Sequence, residues 1–176
     1  ARIGDTLSAI SEIRGYIAPV TADTPELHQL AGRIGDFQTI AARIARVIDE
    51  RGNVRDDASP KLIRIRREIE RAGIEVRASV ERLLHDPGVR RMLQYPNYTF
   101  HADRLVLPLR AEYRGRLPGI VHRSSDSGAT LYVEPAAAVA ANNQIANLRS
   151  EEQEEINHLL WELTHEIYLN EKEILR

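Results

Sequence analysis

The sequence has no cysteine in its 176 residues, which excludes disulfides and cysteine-ligated metals and is compatible with a reducing compartment. Lysine is nearly absent. Neither Lys61 nor Lys172 follows a glycine, so the phosphate-binding pattern Gly-Lys-Ser/Thr is missing. No apolar run approaches the roughly 18 residues of a membrane span, and no signal peptide opens the chain. We therefore expect a cytoplasmic protein with no membrane partner.

The overall composition is ordinary for a soluble protein, with 43% hydrophobic and 28% charged residues. The net charge of −2 argues against a surface wholly built for nucleic acid, although it leaves room for a local basic patch. The chain starts without methionine, and residues 171–176 stop inside a helical pattern. We interpret the chain as a piece of a longer protein.

Apolar residues alternate with polar ones between residues 98 and 134, which is the pattern of strands. Turn residues interrupt this alternation at Ala102-Asp103, at Arg114 to Gly119 and at Asp126 to Gly128. The pattern predicts four short antiparallel strands, at 98–101, 104–110, 119–124 and 129–134.

The first 50 residues predict three short amphipathic helices, each with one apolar face that needs a covering partner. The first helix is expected to end before Pro19, the second to start near Thr24 and the third to start near Asp36. They are predicted to form a compact base, and their inward residues are expected to be Leu7, Ile10, Ile13, Ile17, Leu27, Leu30, Ile34, Phe37, Ile40, Ile44, Val47 and Ile48.

Two long helices are predicted on either side of the strands. Ser59 and Pro60 start the first, which ends at Asp86-Pro87-Gly88 and is about 40 Å long. The second follows Pro135, reaches about 60 Å and meets no Gly or Pro. We predict a mainly α fold with a small antiparallel β unit (α+β). Its expected parts are a helical base at 1–58, two antiparallel long helices at 59–96 and 135–176, and a four-stranded β unit at their tip at 97–134.

The sequence contains two arrangements of potentially reactive side chains. His122, Ser124 and Asp126 lie in one hairpin region, but alternate residues of a strand cannot fold onto each other as a catalytic triad. Glu-x-x-His occurs twice, at Glu155/His158 and Glu162/His165, and this is the ligand spacing of di-metal bundles. No matching pair lies on the first long helix, so a solvated helix face is favoured and no metal is expected.

The predicted sheet carries an excess of positive charge. Between Arg104 and Ser125 there are five arginines and one acid, Glu112. Arginine forks suit phosphate oxygens, and the contact would follow the backbone rather than read bases. The alternative is a solvated edge that discourages aggregation. The candidate nucleic-acid-binding residues are Arg104, Arg110, Arg114, Arg116, His122, Arg123, Ser124 and Ser125.

Three strings carry a resemblance to a known family. They are Asp57-Ala-Ser-Pro-Lys-Leu, the stretch from Leu105 to His122 containing Arg-Leu-Pro-Gly-Ile-Val-His, and Ser127-Gly-Ala-Thr-Leu-Tyr-Val-Glu-Pro. The chain closely resembles the bacterial MutS-II family, paralogues of the mismatch-repair protein MutS, over essentially its whole length. The resemblance implies that the base belongs to the MutS core domain, and that the long helices and the sheet are its levers and clamp.

The resemblance also implies a parent protein with activities outside this chain. The parent would be a homodimeric ATPase using ATP and Mg, commonly with a C-terminal Smr nuclease domain. It would bind branched DNA and suppress recombination, or rescue collided ribosomes. No enzymatic activity and no cofactor are expected in the chain itself. Its expected partner is the backbone of DNA or ribosomal RNA. The alternative is a structural arm that contacts protein, for which Tyr113, Leu117 and Pro118 offer apolar groups.

Overall fold

The computed structural model describes residues 2–17, 19 and 24–175. The elements are α1 (Arg2–Ile17), α2 (Pro25–Ala31), α3 (Gln38–Val47), α4 (Pro60–His85), α5 (Pro87–Met92), β1 (Thr99–His101), β2 (Arg104–Arg110), β3 (Gly119–Ser124), β4 (Thr130–Pro135), α6 (Ala136–Leu169) and α7 (Glu171–Ile174). The α+β class is confirmed, and the four strands lie within one residue of their predicted bounds.

The chain divides into two compact units, and α4 and α6 each contribute to both. The helical unit comprises Ala1–Arg64 and Glu152–Arg176, and the sheet unit comprises Ile65–Glu151. The division into base, levers and clamp stays a prediction. In the described parts of the chain, the helices are too short or too polar to cross a membrane.

The helical unit is built around an apolar core formed by α1, α3 and the adjoining ends of α4 and α6. Its buried members are Leu7, Phe37, Ile40, Ala41, Ile44, Val47, Leu62, Leu159 and Leu163. Ile13 and Leu27 were expected to face inward, but both side chains are exposed, so the apolar stripes of α1 and α2 are narrower than predicted. Leu30 was also expected to face inward, but its side chain lies outside the described residues.

Helix α4 begins where the sequence predicts it. The Leu62 amide donates to Ser59 Oγ at 3.0 Å, which satisfies one of the backbone donors left free at a helix start. Pro60, which has no amide hydrogen, takes the first helical position. Along α4, the apolar residues Leu62, Ile65 and Val76 are almost completely buried.

The four strands form one antiparallel sheet in the order β1-β2-β4-β3. Leu107 lies opposite Val133, and Gly119 lies opposite Pro135. Strands β2 and β3 are both antiparallel to β4 and are joined by a crossover, residues 111–118, which starts with a 3-10 turn at Ala111–Tyr113. Strands β1 and β3 are therefore the two edges of the sheet.

One face of the sheet is the core of the sheet unit. Leu105, Leu107, Leu109, Leu131 and Val133 point to this face because they alternate along β2 and β4. They are covered by residues from the helices and by Leu93, which follows α5; the helix residues are Val76, Val80, Val89 and Ala138. The opposite face is called here the outer face, and it carries Thr99, His101, Arg123, Tyr132 and Glu134.

Helix α6 is unbroken over 34 residues, as the absence of Gly and Pro predicts. It ends at Leu169 rather than continuing to the chain end. The Asn170 side-chain amide donates to the Glu166 carbonyl oxygen at 2.8 Å, which satisfies a carbonyl of the last turn. The short helix α7 follows. Asparagine is a common terminator of helices.

Candidate nucleic-acid interface

A completely buried carboxylate, Glu134, holds two of the candidate residues. Arg104 donates to Glu134 Oε1 at 2.8 Å, and His122 Nε2 lies 2.6 Å from Glu134 Oε2. The Asn142 side-chain amide also donates to Oε1, at 2.8 Å. A buried charge is tolerated only when it is paired and hydrogen-bonded, and Glu134 meets that condition. Arg104 also donates to Asn143 Oδ1, so its guanidinium is engaged inside the sheet unit.

Burial raises the pKa of Glu134, but hydrogen bonds from Asn142, His122 and Arg104 outweigh it, so the net pKa lies below the ordinary 4.5. Glu134 is therefore ionised at neutral pH. We name the set Glu134, Arg104, His122 and Asn142 the carboxylate cluster. It explains why Arg104 and His122 are positioned as they are, independently of any ligand.

An irregularity in β3 brings His122 into this cluster. Val121 pairs with Val133 and Arg123 pairs with Tyr132, so His122 is one extra residue in the strand. Such a bulge turns two successive side chains toward the same face. His122 thereby reaches Glu134 while Arg123 also lies on the outer face. At the start of the strand, a Cβ on Gly119 would lie 2.2 Å from the Glu134 carbonyl oxygen, so only glycine fits there.

The C-terminal end of β2 gathers further basic residues. The Arg110 Nε donates to the Leu93 carbonyl oxygen at 3.2 Å, and a bridge pairs Leu93 with Leu109. This pairing places α5 at the same end of the sheet, and α5 carries the exposed residues Arg90 and Arg91. The sequence interval used to predict the basic patch began at Arg104 and missed both. Their position after the Asp86 cap, on a helix leading into the sheet, was the available signal.

Arg114 and Arg116 lie on the crossover and are exposed. Gly115 between them has a φ of 79°, a left-handed conformation in which glycine is unstrained. Within the part of the chain that the structure describes, neither guanidinium is held by a hydrogen bond or an ion pair. These two cations are therefore available to a ligand without breaking an internal contact.

Arg123 is exposed on edge strand β3, and its guanidinium carbon lies 5.3 Å from the centroid of the Tyr132 ring. This is a cation–π contact, which orients the guanidinium without neutralising it. Ser124 is exposed at the end of β3. Ser125 instead accepts a hydrogen bond from the Thr130 amide at 3.1 Å and shapes the β3–β4 turn.

The eight candidate residues therefore fall into groups rather than one patch. Arg104 and His122 belong to the carboxylate cluster. Arg110, Ser124 and Ser125 lie at the end of the sheet where β2 stops and β4 begins. Arg114 and Arg116 follow on the crossover, and Arg123 lies on the outer face. The topology brings Arg110 and Ser124 to one end and leaves Arg104 at the other.

Two other interpretations made from the sequence are corrected by the structure. Glu155 was placed on a solvated face, but it is buried, accepting a hydrogen bond from Ser59 Oγ at 2.7 Å and pairing with Lys61 at 2.9 Å. These contacts lower the pKa of Glu155, the Lys61 bond most strongly. The apolar groups offered for a protein contact also differ. Leu117 is buried, and Tyr113 packs half-buried against the same core of the sheet unit.

The fold and the site define an α+β protein whose sheet unit exposes Arg114, Arg116 and Arg123, and none of these three is in an ion pair among the described residues. Among curated proteins, the chain is 35% identical over 162 residues to the Endonuclease MutS2 of Pelotomaculum thermopropionicum, covering 92% of the chain and 21% of that relative. It is 39% identical over 155 residues to the Endonuclease MutS2 of Halalkalibacterium halodurans, covering 88% and 20%. No family model matches the sequence.

The chain belongs to the MutS2 family. It spans about a fifth of the length of the relatives it matches. Those relatives are named endonucleases.

Proposed function

We propose that the sheet unit grips the phosphate backbone of nucleic acid through the arginines that the fold leaves unpaired. The observation that carries the proposal is the contrast among the candidate residues. Arg104 and His122 are hydrogen-bonded to the buried Glu134. Arg114 and Arg116, in contrast, are exposed with no internal partner among the described residues. Exposed arginines without carboxylate partners are the groups that bind phosphate and release counterions.

The proposed contact is independent of base sequence in duplex regions. Phosphate contacts fix position and orientation but carry no sequence information. Arg90, Arg91 and Arg110 add positive charge at the neighbouring end of β2. We assign the partner as branched DNA or ribosomal RNA, and the chain as the nucleic-acid-gripping part of a larger dimeric protein.

Chemistry is assigned to other parts of that larger protein. Lys61 pairs with Glu155 in the first turn of α4, and Lys172 lies in α7. Neither lysine occupies a loop that would cradle a nucleotide phosphate, so the residues present do not fit ATP. We propose that ATP hydrolysis with Mg and nuclease cleavage belong to segments of the parent beyond this sequence, and that α4 and α6 transmit the motion.

The test is the triple variant Arg114→Ala, Arg116→Ala and Arg123→Ala in the full-length protein. A control variant changes Arg33, Arg46 and Arg51 to Ala, which removes the same charge from exposed positions of the helical unit. Affinity for a four-way DNA junction and for ribosomes is measured across salt concentrations. We expect the plot of log affinity against log salt to lose a slope of about 2 to 3 in the test variant only.

Unchanged affinity and an unchanged salt slope in the test variant would contradict the proposal. That outcome would favour the alternative, an arm that contacts protein. An equal loss in both variants would show that total charge, rather than this surface, governs binding.

A further inference from the structure

A concavity lies along the outer face of the sheet, between residues of β1, β3 and β4. Its lining residues are Thr99, Phe100, His101, Arg123 and Tyr132. Phe100 pairs with Leu105 and its side chain points to the opposite face, so the aromatic rings on the outer face are those of His101 and Tyr132. The lining residues come from both edges of the sheet and from β4, so no short sequence interval contains them. The concavity combines aromatic rings with hydrogen-bond donors, and its position is distinct from the crossover arginines.

Tyr132 is held from two sides. On one side lies Tyr95, whose pKa is raised by burial first and by the neighbouring Tyr132 hydroxyl second. Arg123 lies over the Tyr132 ring, 5.3 Å from the centroid. The contact places the Arg123 guanidinium over the face of the Tyr132 ring. The other side of the guanidinium is open to solvent, since Arg123 is exposed.

The opposite wall is formed by His101 and Thr99. The His101 ring lies with its centroid 5.7 Å from that of His122, which is itself anchored on Glu134. The carboxylate cluster thus contacts this side of the concavity through the ring of His122. Among the described residues, no carboxylate pairs with Arg123, so the concavity keeps its positive charge.

We propose that this concavity binds one unpaired nucleotide, with the base stacked against Arg123 and its sugar-phosphate within reach of His101 and Thr99. Arginine planes and aromatic rings are the surfaces on which proteins stack exposed bases. A bare phosphate would not require the aromatic walls, and an aliphatic ligand would leave the guanidinium without a partner. The inference rests on the proposed nucleic-acid function and narrows the partner to one that exposes unstacked bases, as junctions and looped RNA do.

The test compares two oligonucleotides with equal numbers of phosphates, oligothymidine and an abasic chain of the same length. Binding to the 176-residue chain is measured by fluorescence anisotropy. We expect oligothymidine to bind about tenfold more tightly than the abasic chain. Arg123→Lys keeps the charge but loses the plane, and it should reduce this ratio to about one. The matched control Arg116→Lys should leave the ratio unchanged. Both substitutions are at exposed positions, and circular dichroism verifies the fold.

Each result separates this inference from the proposed function. Equal, salt-dependent binding of both oligonucleotides would overturn the nucleotide site and leave the backbone contact standing. A base preference that survives Arg123→Lys would overturn the assignment to this concavity. No binding of either oligonucleotide would overturn both. His101→Ala gives a second reading, since loss of the opposite wall should also lower the ratio while binding of the abasic chain persists.

Discussion

At the scale of single residues, Glu134 is the side chain on which most of the outer face depends. Replacing it by Gln keeps the shape but removes the charge that Arg104 and His122 face. Breaking one partner of a buried ion pair costs about 3 kcal/mol. We predict that Glu134→Gln lowers the free energy of unfolding by about that amount, as measured by urea denaturation.

Glu112→Gln is the matched control, because Glu112 is exposed on the crossover turn. It should change stability by less than about 0.5 kcal/mol. Equal stability of wild type and Glu134→Gln would contradict the assigned role of the carboxylate cluster.

The same carboxylate predicts a pH dependence. The pKa of Glu134 and that of Glu155 are both lower in the folded chain than the ordinary 4.5. Below pH 4.5 the unfolded chain therefore binds more protons than the folded chain, and lowering the pH favours unfolding. The stabilisation is fully present above the ordinary pKa and is lost as the pH falls through the folded values.

We expect thermal melts between about pH 7 and about pH 3 to show a steep acid loss of stability in wild type. The loss should be shallower in Glu134→Gln, which has one titrating group fewer. Parallel curves for the two proteins would show that Glu134 has no lowered pKa in the folded chain.

The arginines show what sequence reasoning can and cannot supply at this scale. Counting charge identified Arg114, Arg116 and Arg123, and all three are exposed. It gave the same standing to Arg104, because the carboxylate that engages it lies thirty residues away along the chain. The distinction depends on the register of β2 and β4 and on the bulge at His122, neither of which has a local sequence signal.

At the scale of elements, the β1–β2 turn is the clearest strained feature. Ala102 has a φ of 45° and Asp103 a φ of 63°. A left-handed conformation costs a residue with a Cβ about 1 kcal/mol, and aspartate tolerates it better than alanine does. The Asp103 carboxylate also pairs with Arg149 of α6. The turn is thus held by the tertiary contact as well as by its own residues.

We predict that Ala102→Gly raises the free energy of unfolding by about 1 kcal/mol, because glycine adopts positive φ without strain. Ala146→Gly is the control, an exposed alanine within α6, and it should lower stability by about 1 kcal/mol. The opposite signs make the comparison specific. A destabilising Ala102→Gly would contradict the strained conformation of the turn.

The elements themselves were largely predictable. Ser59 and Pro60 predicted the start of α4, and alternation predicted the strands, because both signals are local. The inward faces of α1 and α2 were less predictable. Ile13 and Leu27 satisfy helical spacing but are exposed, since which apolar residues are covered depends on the packing partner.

At the scale of the whole molecule, family membership indicates which class of protein the chain comes from. The structure indicates which of its arginines are exposed. The chain spans about a fifth of the length of each relative, so the activity of a whole relative is not assigned to it. Two of the three strings that carry the MutS2 resemblance include residues 116–122 and 127–135. In the structure these strings build β3, β4 and the carboxylate cluster. The residues that carry the family resemblance therefore belong mostly to the strands and the carboxylate cluster, which position the exposed arginines.

We propose that specific arginines of the sheet unit contact nucleic acid directly. The most direct measurement is the nitrogen-15 NMR spectrum of the arginine Nε–H groups during titration with a four-way DNA junction. We predict shifts for Arg114, Arg116 and Arg123, and none for Arg43, which is paired with Glu162 and Glu166 in the helical unit. Unshifted resonances for those three arginines at saturating DNA would contradict the account.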